Sequence, residues 1–262
     1  MKKIYLLTAN TISLILVLAM NYIYGSGTLG GKTVGEISNL YPTAITPAGY
    51  AFAIWGVIYI LLLAFVAYQW YEWKKGGTDY SVSPAGGWFF SANAANILWL
   101  VFWTNEWMSG SLLAMALLLF SLIKLVVALR LEIWDAPLRV IFFVWWPICI
   151  YIGWVILATV LNVAVFLVSI SWSGWGLSPE IWAVVAMGLG LLVYLMLIRY
   201  RNMREAGFVG AWGFAAIAVA SGETLISAAA LSAAAILLVA GIFHGIKNYH
   251  YTPMEKWKRG EV

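Results

Sequence analysis

The chain has 262 residues, 63% of them hydrophobic and 10% charged, where an ordinary soluble domain carries about 25% charged residues. The net charge of +4 comes without a clustered basic face. These figures exclude a water-soluble globular domain, a disordered chain and a nucleic-acid binder. What remains is an all-α, polytopic integral membrane protein.

Met1-Lys2-Lys3 followed by Ile4–Tyr24 has the outline of a signal peptide. The apolar stretch is too long for an h-region, and no small-x-small site ends it, so it reads as an uncleaved first span. The further predicted spans are Gly49–Trp70, Trp88–Thr104, Ser111–Leu129, Val140–Ile170, Ile181–Ile198, Phe208–Gly222 and Thr224–Ile246. The fifth is long enough to tilt or to extend past the bilayer. The seventh is short and rich in Gly and Ala, and pairs with the eighth as a hairpin turning at Ser221-Gly222-Glu223.

Charge placement tests the count. With eight spans and the N-terminus inside, 14 of the 15 basic residues fall on the inner side, counting Lys124, which snorkels there; only Lys32 lies outside. Both termini are therefore expected on the cytoplasmic face, and the membrane is expected to be a bacterial cytoplasmic membrane. The one long outer segment, Gly25–Ala48, carries Pro42 and Pro47 and reads equally well as a lid or as a plain connector.

Polar residues inside a span are costly, and here they are Asn21, Asn93, Asn96 and Asn162. No Asp or Glu lies near the middle of a span, which disfavours a proton pump. Span eight has no mid-helix Lys for a retinal Schiff base. No metal cluster can be built from His244 and His250, six residues apart, with the remote Cys149. Cys149 itself reads as a small buried apolar residue. No Gly-x-Ser-x-Gly motif is present, no cofactor is required, and nothing in the sequence calls for an enzyme.

Of the 16 tryptophans, nine sit at span ends, where the membrane interface accounts for them. The other seven lie inside spans: Trp55, Trp99, Trp103, Trp145, Trp146, Trp154 and Trp212. By topology Trp55, Asn96, Trp99, Trp103 and Asn162 fall in the outer half and Trp154 is central. They share a depth beneath the long outer loop. Indoles and side-chain amides under a polar roof suit a flat apolar ligand with a few polar groups.

Three patches at these residues resemble the TspO/MBR family of tryptophan-rich sensory and translocator proteins. Thr46-Pro47-Ala48-Gly49-Tyr50-Ala51-Phe52-Ala53-Ile54-Trp55 is similar to that family's proline-bearing loop entering its second helix. Asn96-Ile97-Leu98-Trp99 is similar to its Asn-x-x-Trp. Trp154 to Asn162, with Ala158-Thr159 and Leu161-Asn162, is similar to its Trp-x-x-x-Ala-Thr/Ser-x-Leu-Asn. The resemblance implies a five-helix core over 1–170, with 171–262 as a three-helix extension like that of longer, tryptophan-rich members. It also implies that Pro47, Trp55, Asn96, Trp99, Trp103, Trp154, Ala158 and Asn162 surround a ligand: a porphyrin, a haem-like tetrapyrrole or a sterol. The chain departs from the family's pattern at Ala92, where Gln is common, at Val163, where an aromatic is common, and in the placement of Pro147. The departures leave ligand identity and light-dependent porphyrin breakdown open.

The expected partners are thus the bilayer and a hydrophobic small molecule, with no nucleic acid. A small-molecule permease without a tetrapyrrole role is the competing reading. The alanines of span eight (Ala228, Ala229, Ala230, Ala233, Ala234 and Ala235) allow close packing within the fold or in a homodimer.

Overall fold

The computed structural model describes residues 2–25, 31–249 and 252–260, and these are helical with short connections. The helices are α1 (Lys2–Gly25), α2 (Val34–Leu40), α3 (Ile54–Lys75), α4 (Val82–Ala85), α5 (Trp88–Thr104), α6 (Met108–Ala128) and α7 (Leu138–Val140). They continue as α8 (Trp146–Ser169), α9 (Pro179–Arg201), α10 (Arg204–Ala220), α11 (Thr224–Lys247) and α12 (Pro253–Lys258). A 3₁₀ turn, Gly49–Ala53, leads into α3.

Each of the eight predicted spans lies on a helix. Six helical segments, those containing α1, α3, α6, α8, α9 and α11, are long and apolar enough to cross a membrane. The expected count of eight is not reached by this criterion, because α5 and α10 have 17 residues each, the lower limit for a spanning helix. The outward faces carry large apolar side chains, among them Ile60, Leu113, Val239 and Phe243, as expected of an integral membrane protein whose solvent is lipid.

The central post is α8. In it 72% of the most apolar window is buried, against 28–44% in the other five candidate spans. It packs on α3 and α6 on one side and on α9 and α10 on the other. A π-helical turn, Ile141–Trp145, precedes it. Pro147 has no N–H and its ring crowds the carbonyl of Phe143, four residues back, so the widened turn falls where an α-helical bond cannot form.

The helices of the first half are joined by buried polar side chains. Asn10 Nδ2 donates to Gln69 Oε1 at 3.1 Å, joining α1 to α3. Asn93 Nδ2 donates to Ser13 Oγ at 3.0 Å, joining α5 to α1. Ser111 Oγ donates to Asn162 Oδ1 at 2.7 Å, joining α6 to α8. Asn93 and Asn162 are among the intramembrane polar residues picked out from the sequence; Asn10 and Gln69 are not.

The second half is joined by the lack of side chains. A Cβ on Gly153 of α8 would lie 2.8 Å from Ala206 Cα of α10, and one on Gly210 of α10 would lie 2.6 Å from the Tyr194 ring of α9. That close approach lets Tyr194 OH donate to Gly153 O at 2.7 Å. Helix α10 is therefore short on bulk because three neighbours press on it. It turns into α11 at the expected Ser221–Glu223, and Ala230, Ala233 and Ala234 of α11 are buried inside the fold, while Ala228 and Ala235 are exposed.

Candidate functional site

Between the ends of α3, α5 and α8, under the 31–48 loop, lies a cleft. It is lined by Phe52, Trp55, Trp99, Trp103, Trp154, Ala158 and Asn162, with Val34, Ser38, Thr43 and Thr46 of the loop closing it. Six of the eight expected site residues meet here.

The aromatic rings form a row. Tyr59 stacks on Trp55 at 5.6 Å, Trp55 on Trp99 at 5.7 Å, and Trp99 on Trp103 at 6.0 Å, with interplanar angles of 21°, 26° and 29°. Positions 55 and 59, like 99 and 103, are four residues apart, so each pair sits on one helix face and α3 and α5 each contribute two rings. Trp154 of α8 meets Trp55 edge-on at 6.4 Å and 83°, and Phe52 meets Trp154 edge-on at 6.1 Å. Both arrangements are the ones the ring quadrupole favours.

The polar groups are few. Trp99 Nε1 and Trp154 Nε1 are buried without a hydrogen-bond partner. Asn162 is already engaged: it accepts from Ser111, and its Nδ2 donates to Ala158 O at 3.3 Å. None of the lining residues is His, Cys, Asp or Glu, so the cleft offers no metal-ligand set. What the arrangement can do is hold a flat ring system against indole faces and supply two indole N–H groups to its acceptors. Its volume as it stands is about 20 Å³, the space of about one water, because the rings fill it with each other.

The roof is built. Thr33 caps α2: its hydroxyl accepts from Glu36 N at 3.2 Å while the Glu36 carboxylate accepts from Thr33 N at 2.7 Å. Those bonds from Thr33, the backbone one foremost, hold the Glu36 carboxyl below its ordinary value. Trp103 Nε1 donates to Val34 O at 3.1 Å, tying the roof to the aromatic row. Lys32 Nζ donates to Glu106 Oε1 at 2.8 Å and Tyr41 OH to Oε2 at 3.1 Å. The Lys32 ammonium, and then the Tyr41 hydroxyl, hold Glu106 below the usual carboxylate value. The segment that reads equally as a lid or a plain connector is therefore a helix-bearing cover, and the sequence signal for its helix is Thr33-Val34-Gly35-Glu36, a Thr-x-x-Glu capping box.

Two expected residues lie elsewhere. Asn96 does not line the cleft: its Nδ2 donates to Tyr151 OH at 3.0 Å and its Oδ1 accepts from Asn21 at 3.3 Å. It joins α1, α5 and α8 behind the row. Pro47 is buried and lines a neighbouring groove of about 550 Å³, between the loop, Pro179 and the α10–α11 turn; Thr43 and Thr46 border both spaces. Val163, the departure next to Asn162, is exposed on the outer wall, so it does not alter the cleft. Sequence reading missed the part played by the extension. Ala48 N donates to Ala216 O at 3.0 Å, Trp212 Nε1 to Ala51 O at 3.4 Å, and Tyr50 meets Trp212 edge-on at 5.0 Å.

A family model described as TSPO-like protein matches residues 6–243, and so runs through α9, α10 and most of α11 as well as the first five spans. Comparison with curated proteins and with solved structures returned no match.

Proposed function

The chain belongs to the TSPO-like protein family, and from that premise we propose that it binds a flat hydrophobic ligand, of the tetrapyrrole or sterol class, in the cleft beneath α2. The observation that carries the reading is the row of four stacked rings with two partnerless indole N–H groups at its side. A porphyrin or haem would slide along the ring faces and take the indole N–H bonds through its carboxylates. A tetrapyrrole is far larger than the present space, so entry requires α2 to lift from Trp103 and Glu106. Lifting it pulls on the 46–52 segment, which is bonded to α10. This gives a sensory or regulatory protein a route from ligand to extension. No catalytic step is part of the proposal.

We place eight spans in the membrane, with α5 and α10 crossing although short. This puts both termini and 14 of 15 basic residues on the cytoplasmic side of a bacterial inner membrane. Reporter fusions at the C-terminus should be active only in the cytoplasm.

The test of binding is titration of the purified protein with protoporphyrin IX, read by tryptophan fluorescence. Saturable quenching is expected at micromolar ligand, and Trp55→Phe combined with Asn162→Ala should weaken it by about tenfold or more, or about 1.4 kcal/mol. Unchanged quenching in the folded double variant overturns the site. The groove of about 550 Å³ beside the cleft favours a second reading, transport of an amphiphile through the space between loop and extension. Flux into proteoliposomes supports it, and binding without flux rules it out.

A further inference from the structure

At the opposite end of the bundle, three groups from distant parts of the chain converge. Glu132 lies in the loop after α6, Cys149 in the first turn of α8, and Glu205 in the first turn of α10. The Cys149 sulfur and one carboxylate oxygen from each glutamate all lie within 4.8 Å of one another. We propose that Glu132, Cys149 and Glu205 bind a divalent transition metal of the zinc class.

Three observations support this, and none depends on the ligand cleft. Glu132 Oε1 and Glu205 Oε2 are sealed from solvent and have no hydrogen-bond partner. A buried carboxylate oxygen left so costs several kcal/mol unless a cation or proton meets it. No ion pair reaches either glutamate among the described residues. Two of the nearby cations are used in other ways: Arg201 Nη2 donates to Val126 O at 3.1 Å and Leu131 O at 3.2 Å, and Lys256 is paired with Asp135. Arg204 also lies near both glutamates and forms an ion pair with neither among the described residues. Third, the surroundings supply an outer layer. Asn202 Nδ2 donates to Glu132 Oε2 at 3.2 Å, which orients that carboxylate, and Asn202 Oδ1 is itself buried without a partner.

The donor set indicates the class of ion. One thiolate with carboxylate oxygens is a borderline set that suits Zn²⁺ or Co²⁺ and not Mg²⁺ or Ca²⁺, which take oxygen alone. With two carboxylates and one thiolate, a dication and the guanidinium of Arg204 bring the cluster to neutrality. The effect would be structural: the ion would join the 129–137 loop, α8 and α10.

The test uses the whole protein in detergent with Co²⁺ as probe. Binding should produce thiolate-to-cobalt charge-transfer absorption, competed away by Zn²⁺. C149S should abolish that absorption. E132Q, which keeps the side-chain volume, should weaken Co²⁺ by about tenfold or more, since outer partners alone are worth about 10–100-fold. A wild-type spectrum without thiolate absorption overturns the proposal, as does unchanged Co²⁺ affinity in folded E132Q. Should C149S fail to fold, the wild-type spectrum and E132Q decide the matter between them. Ligand binding in the cleft is read separately by porphyrin quenching, so either proposal can fail alone.

Discussion

The two halves of this bundle solve one problem in opposite ways. Lipid tails are as apolar as leucine, so burial of apolar surface does not by itself drive helices together in a membrane. The first half supplies directional bonds: Asn10 to Gln69, Asn93 to Ser13, Asn96 to Tyr151, Ser111 to Asn162. The second half removes side chains: Gly153 admits the Ala206 backbone, and Gly210 and Gly213 make room for the Tyr194 ring and the Leu157 side chain. The difference teaches where specificity lies. Amide bonds place the aromatic row to within a hydrogen-bond length, whereas glycine contacts only require that nothing intrude.

The contrast is broken most sharply at Gly153. An alanine there meets the Ala206 backbone, which cannot rotate away, so Gly153→Ala should cost about 1–3 kcal/mol and lower the thermal midpoint in detergent. Gly188 of α9 has nothing within 4 Å of its added Cβ, and Gly188→Ala should be neutral or stabilising by up to about 1 kcal/mol. Equal losses at both positions would show that helix flexibility, not close approach, governs this half.

The amide half should respond less. Asn10→Leu leaves Gln69 Oε1 without its donor and should cost about 0.6–1.7 kcal/mol. Adding Gln69→Leu should cost less than the sum of the single changes, because the second removes a group the first has orphaned. Strict additivity would mean that the bond adds nothing.

The same contrast explains how much could be read from the sequence. An asparagine or indole in an apolar run is visible, so Trp55, Trp99, Trp154 and Asn162 could be placed at one depth, and the structure gathers them. Facing was not visible. Asn96 and Trp99, three residues apart, point about 60° apart around α5, enough to turn one toward Tyr151 and the other into the cleft. Helix α10 gave only a weak signal because hydropathy records large apolar residues, and close packing had removed them. Glu132, Cys149 and Glu205 gave none, since only the folded chain brings residues so far apart in sequence together.

At the roof, where a single indole bond meets a surface ion pair, the comparison narrows to one loop. Trp103→Phe keeps the ring but loses the bond to Val34 O. It should raise the opening of α2 by about 0.5–1.5 kcal/mol, read as faster amide hydrogen exchange over 34–40. The aromatic stack itself should persist.

The smallest effect belongs to Glu106. Lys32 and Tyr41 lower its carboxyl below the ordinary value of 4.5, so the ionised form is the one the closed roof favours. A lowered folded value means the stabilisation is present in full above about pH 4.5 and is lost as the pH falls through the lowered value. Both partners of the Lys32–Glu106 pair are more than a third exposed, 44% and 38%, so water and salt screen it. Protection of α2, corrected for intrinsic exchange, should therefore be flat at neutral pH and decline only in acid. Glu106→Gln should remove the decline. A variant that still loses protection in acid would transfer the effect to Glu36, whose carboxyl is held low by the Thr33 cap at the start of the same helix.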